Sequence, residues 1–146
     1  MQLLRIVIAM RNLPRILALV LLAVNGAGAI YGGYLLMTDP TGHALQMPHE
    51  WIEHTPFKDF FVPGVILFLV NGICSFIVII ATIVQYRKAA ALIFVQGLLL
   101  CGWIFLQLLL TLKYHPLQAI MGAIGLLLMI TGYQLTHRDT IVAQAD

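Results

Sequence analysis

Charge is what this chain most lacks. Only 10% of its residues are Asp, Glu, Lys or Arg, and 61% are hydrophobic. An ordinary soluble domain carries ~25% charged residues. A chain of 146 residues cannot hide that much apolar surface inside itself, so the excess has to face lipid. The formal net charge of +2 is small and scattered, which excludes nucleic acid as a partner. Cysteine is scarce too. Cys74 and Cys101 both lie inside apolar runs, with no C-x-x-C, so a disulfide framework is excluded. There is no Gly-rich phosphate loop and no Ser–His–Asp or Cys–His arrangement, and nothing implies a cofactor.

What is present is a set of long apolar stretches. They predict an all-α membrane protein: a four-helix transmembrane bundle in one domain, 1–146, with spans over about 13–37, 60–84, 89–112 and 117–135. Residues 1–12 read as a basic flank or a short surface helix. Asn12-Leu13-Pro14 reads as the start of the first span, because proline's missing N–H is harmless in a first turn. A cleaved signal peptide is the competing reading, with Ala27-Gly28-Ala29 as its cleavage site. The apolar run continues past that point to Met37, which favours a span. Gly28 and Gly32 make a G-x-x-x-G pair suited to close helix approach, within the bundle or towards a second copy or a membrane partner protein. Gly122, Gly125 and Gly132 suggest the same for the fourth span. The tail from Thr136 reads as short and polar.

The distribution of Lys and Arg sets the expected orientation. Arg5, Arg11, Arg15, Arg87, Lys88 and Arg138 would share one side, and Lys58 and Lys113 the other. Both termini are therefore expected in the cytoplasm, in a multi-pass protein of the inner (plasma) membrane.

The apolar runs contain few polar residues and no titratable ones at depth except the thiols. Proton relays and ion pathways usually need such groups, so a proton-coupled pump or an ion channel is disfavoured. Val24-Asn25-Gly26 recurs as Val70-Asn71-Gly72, each near the middle of its span. Antiparallel neighbours would bring Asn25 and Asn71 to similar depth. They would then bond one amide to the other, or recognise a ligand there. Gln96 and Gln107 share one face of the third span, with Thr111 a turn further on, and that face is expected to turn inward. Cys74 and Cys101 read as small packing residues, with a thiol redox role as the alternative.

The stretch 38–64 is the one long polar connection, external over about 38–59. It holds four of the six acidic residues and three of the five His, so any hydrophilic chemistry concentrates there. In His49-Glu50-Trp51-Ile52-Glu53-His54, a short helix beginning at Pro48 would place His49 by Glu53 and Glu50 by His54 as metal-ligand pairs. The zinc-protease pattern H-E-x-x-H is not met, because Glu53 stands where the second His should be. The other reading is an interfacial helix anchored by Trp51, Phe57, Phe60 and Phe61. Asp39-Pro40-Thr41-Gly42 suits a turn. Thr55-Pro56 suits an N-cap and first helical residue of the second span.

Asp39-Pro40-Thr41-Gly42, Leu45-x-Met47-Pro48, Thr55-Pro56-Phe57-x-Asp59-Phe60 and Pro63-Gly64 together resemble a family of small four-span membrane proteins of bacteria. Its members show D-P-(S/T)-G-x-x-L-x-M-P, then (S/T)-P-F-x-D-(F/Y), then P-G at the head of the second span. Trp103 to Gln107 and Leu117-Gln118 fit the same pattern, so the resemblance covers most of the chain. It implies that Asp39, Gly42, Pro48, Pro56, Phe57 and Asp59 build an external cap, and it brings no activity with it. The build is also similar to DoxX-like proteins in size and span count. That similarity implies the alternative of a small membrane redox enzyme or metal-binding accessory protein. The leading expectation is a non-catalytic protein that binds a partner protein or a small lipophilic ligand.

Overall fold

The computed structural model describes residues 1–53 and 55–145, with side chains described except at 2–11, 110 and 139–145. Four helices carry the fold, and no strand occurs among the described residues. Helix α1 is Gln2–Thr38. Helix α2 is Phe61–Ile83, helix α3 is Ala89–Thr111 and helix α4 is Pro116–Ala145. Each contains a stretch long and apolar enough to cross a bilayer. Four crossings put both termini on one side of the membrane, and the 39–60 connection and the 112–115 turn on the other.

Three expected boundaries move. Pro14 lies inside α1 rather than opening it. The helix extends back to Gln2 at the cost of the ladder bond that Pro14 cannot donate, a loss membrane helices tolerate. Helix α4 does not stop at Leu135 but continues through the polar tail to Ala145. Beyond the bilayer, helix needs only sequence that does not break it, and 136–145 contains no Gly or Pro. Helix α2 starts at Phe61, not at Pro56. Thr55 Oγ instead accepts the Phe57 N–H at 3.2 Å within the loop, and Asp59 Oδ1 takes the Phe61 N–H at 2.9 Å. At the other turn, His115 and Gln118 cap α4 reciprocally. Gln118 Oε1 accepts the His115 N–H at 2.9 Å, and His115 Nδ1 accepts the Leu117 N–H at 3.2 Å, with Pro116 between them.

Helix α1 lies along the whole length of α2, α3 pairs with α4, and α1 also meets α4. A narrow core of Ala18, Leu22, Val78, Ile93, Leu100 and Leu128 draws on all four. Large residues such as Val20, Ile77, Leu98, Phe105 and Ile130 point outward, as lipid permits. Glycine sets the helix separations. A Cβ at Gly97 would stand 2.6 Å from the Gly125 carbonyl oxygen, and one at Gly132 2.5 Å from the Phe94 nitrogen. A Cβ at Gly33 would meet Gly64 O at 2.8 Å, which seats α2 on α1.

The expected Gly28–Gly32 pair is not where this contact falls. A Cβ at Gly28 would meet no described residue beyond its own helix within 4 Å, and one at Gly32 would make an ordinary contact with Leu67 at 3.6 Å. Gly26 and Gly33, on the other side of α1, hold the interface. Gly122 is likewise open, whereas Gly125 and Gly132 pack closely as expected.

Helix α2 is not uniform. Its middle, Leu67–Ile73, is a π-helix, with α-helix on either side. Wider turns of this kind occur mostly as single insertions, frequently at functional sites. Seven residues of it in mid-membrane single out this stretch.

Candidate functional site

The centre of the bundle is built around the π segment. Its last bond runs from the Cys74 N–H back to the Leu69 carbonyl, five residues away. When four-residue spacing resumes, the next carbonyl along, that of Val70, is passed over. In hydrocarbon an unpaired carbonyl is costly, so another helix has to supply the donor. Gln96 on α3 does so, its Nε2 donating to Val70 O at 3.1 Å. The neighbouring Asn71 carbonyl accepts from Ser75 Oγ at 2.7 Å and from Asn25 Nδ2 on α1 at 3.3 Å. Asn25 Nδ2 also donates to Ser75 Oγ at 2.9 Å. Amides from α1 and α3 therefore close the wide turns of α2 from both sides.

The structure thus brings Asn25, Asn71 and Gln96 together, but not amide to amide. Asn25 reaches the backbone of Asn71 and leaves its side chain alone. Asn25 and Asn71 are 0% exposed and Gln96 1%. Asn25 Oδ1, Asn71 Oδ1 and Asn71 Nδ2 have no hydrogen-bond partner among the described residues. Gln107 does not join them. It is half-buried further along α3, where its carbonyl accepts from Thr111 Oγ at 2.8 Å.

Ser75 is the member that sequence reading missed. The signal was available in Asn71-x-x-x-Ser75, one helical turn on a span otherwise poor in polar groups. The π segment had no comparable signal, since its residues Leu67–Ile73 are ordinary membrane-helix residues. The remaining buried hydroxyls are self-sufficient. Thr82 bonds the Val78 carbonyl at 2.7 Å, and Thr131 the Leu127 carbonyl at 2.6 Å.

The 39–60 connection forms a folded cap. Gly42 takes the left-handed conformation at φ 81° and lies under the Phe60 ring, where a Cβ would stand 2.8 Å from Phe60 Cε2. Phe60 donates its N–H to the Pro40 carbonyl at 3.0 Å and is buried with Ile52 and Leu36, flanked by Leu45, Met47 and Trp51. Phe60 is therefore core of the cap and not an interfacial anchor, whereas Phe61 is exposed. Pro56, Phe57 and Asp59 line an open cleft of ≈ 450 Å³ with Pro40, Lys58 and Phe61. Pro48 precedes the single 3₁₀ turn His49–Trp51.

That turn bears on the expected metal-ligand pairs. The expected pairing of His49 with Glu53 needs α-helical spacing. The 3₁₀ turn stops at Trp51 because Ile52 turns into the cap core and its carbonyl accepts the Thr55 N–H at 2.9 Å. His49, Glu50 and Glu53 are all exposed, and His54 lies outside the described residues. Among the described residues no three of His, Cys, Asp and Glu converge on a point that could hold a metal ion. Cys74 and Cys101 are both free and half-buried, and Cys101 Sγ lies 3.8 Å from the Gly122 carbonyl.

Asp39 ties the cap down. Its carboxylate accepts from the Thr41 hydroxyl and, at 2.8 Å, from the Ala44 N–H. The Thr41 bond, then the Ala44 bond, hold its pKa below the ordinary value of 3.8. The linked contribution to cap stability is complete at neutral pH. It declines as pH falls through 3.8 and is gone below the lowered folded-state value. In a Trp103→Phe background, Trp51 emission should therefore red-shift only under strong acid. In Asp39→Ala it should be red-shifted already at neutral pH, and unchanged emission in that variant would remove Asp39 from the cap.

The chain matches no protein-family profile, no curated protein and no solved structure.

Proposed function

We propose that this protein is a non-catalytic integral membrane protein that binds a small lipophilic ligand within its bundle, at the Asn25–Asn71 centre. One observation carries the reading. Asn25 and Gln96 each spend a donor on sealing the α2 backbone, whereas the Asn71 side chain bonds nothing although it is fully buried. An amide placed there without a partner costs free energy that leucine would not, since a lone buried polar group loses ~1–3 kcal/mol. Such a group fits recognition of a polar atom that arrives with a guest.

The buried polar side chains at the centre are amides and a hydroxyl, which orient a ligand but do not exchange protons near neutral pH. This supports binding over catalysis. The Lys and Arg distribution supports cytoplasmic termini and an external cap, and the resemblance of the 39–64 segment to small four-span proteins of bacteria supports an inner-membrane location.

Extraction into nanodiscs followed by native mass spectrometry tests the reading. Wild-type protein should carry a lipophilic molecule in stoichiometric amount, and the Asn25→Leu/Asn71→Leu variant should not. Equal lipid content in both would remove the central site from the function.

A further inference from the structure

We infer that the Asn25–Asn71 centre is a hydroxyl-binding site: the group it takes both donates and accepts a hydrogen bond. The site is the one on which the proposed function rests; the new step is the chemistry of the guest.

The unpaired atoms define that chemistry. Two are acceptor oxygens, Asn25 Oδ1 and Asn71 Oδ1, and one is a donor, Asn71 Nδ2. The assignment follows from the network. Ser75 Oγ donates its proton to Asn71 O, so it turns a lone pair to Asn25, and Asn25 must present nitrogen to it. Exchanging the oxygen and nitrogen of Asn71 leaves the same set. A ketone only accepts, so it would serve Asn71 Nδ2 and leave both oxygens bare. A carboxylate would face two carbonyl oxygens and be repelled. A hydroxyl accepts from Asn71 Nδ2 and donates to an oxygen, and water can donate to both.

The packing sets the size. Around the centre α1 and α2 touch nearly backbone to backbone. A Cβ on Gly26 would stand 3.1 Å from Ser75 Cβ and 2.9 Å from the Phe76 ring, and one on Gly72 2.8 Å from Ile30 Cγ1. That favours a thin head, either the terminal hydroxyl of a single chain or a water molecule, over a ring or a branched group. Sequence alone did not separate these chemistries, because it could not say which amide atoms the backbone uses.

The test uses full-length protein in nanodiscs. Thermal unfolding is followed with dodecanol, a methyl ketone of equal chain length, and dodecane. In parallel, wild-type protein labelled with nitrogen-15 at asparagine is examined for magnetisation transfer between the Asn71 side-chain amide and a long-lived water. Asn71→Leu is the control and should fold, since the Asn71 side chain bonds nothing. A rise of several degrees in Tm with dodecanol alone, abolished in Asn71→Leu, supports the inference and names a lipophilic alcohol. No lipid effect together with a bound-water signal also supports it, names water, and removes the ligand-binding function. A ketone as effective as the alcohol overturns the hydroxyl assignment while ligand binding survives. Neither lipid effect nor water signal overturns both.

Discussion

Gly97→Ile is expected to separate α3 from α4 and abolish the folded bundle. The closest contact in this seam is between main chains, not side chains. A Cβ at Gly97 would already meet the Gly125 carbonyl oxygen at 2.6 Å and the Met129 nitrogen at 2.7 Å. Backbone cannot swing aside as a long side chain can, so the helices themselves must move. Ordinary overpacking costs ~1–3 kcal/mol. Here the loss should reach the upper end or pass it, because separation also opens the contacts at Gly125 and Gly132. Membrane helices draw little attraction from the hydrophobic effect and depend on close packing and hydrogen bonds. Gly102→Ile on the same helix is the matched control, since a Cβ at Gly102 would meet no described residue beyond its own helix within 4 Å. Unfolding in mixed micelles should show loss of cooperative structure for the first variant and near-wild-type behaviour for the second. Equal behaviour of the two would mean that the seam is not glycine-determined.

The second large effect is expected from Gln96→Leu. This change leaves the Val70 carbonyl, passed over by the π segment, without its donor at 3.1 Å. An unsatisfied buried acceptor costs ~1–3 kcal/mol. Measured interhelical hydrogen bonds in membranes average ~0.6 and reach ~1.7 kcal/mol. A loss of ~1–2 kcal/mol in reversible unfolding is therefore expected from the two ranges together. Isotope-edited infrared spectroscopy with carbon-13 at the Val70 carbonyl should show that band move to higher frequency. Asn71→Leu, which removes a side chain with no partner, should cost nothing or stabilise the apo protein. If Gln96→Leu and Asn71→Leu cost the same, the two residues do not hold the separate roles given them here, one sealing backbone and the other awaiting a guest.

These two predictions sit at different distances from the sequence. The four spans were legible because lipid imposes a simple demand: about twenty apolar residues for each crossing. Phe61–Ile83 and Ala89–Thr111 fall within a residue of the expected bounds. The ends at Gln2 and Ala145 were not legible, because outside the bilayer apolarity no longer marks a helix. The cap was legible through Asp39, Gly42 and Phe57, whose residue types suit turns and interfaces. Its core was not, since Phe60 reads as an anchor until Gly42 is seen beneath it. The expected metal pairs at His49 and Glu53 depended on an α-helical turn that the Pro48 segment does not make.

At the centre the sequence by itself determined which polar residues enter the membrane, and that Asn25, Asn71 and Gln96 would be buried rather than lipid-facing. Amides deep in hydrocarbon find partners only on neighbouring helices, so they turn inward there. Only the tertiary structure decided what each amide does there. Seven residues of α2 wind with five-residue spacing, which steps over the Val70 carbonyl. The neighbouring helices answer with Gln96 and Asn25. Hydrogen-bond bookkeeping of that kind depends on the positions of main-chain oxygens. Those positions are set by how four helices pack, and residue type does not encode them locally.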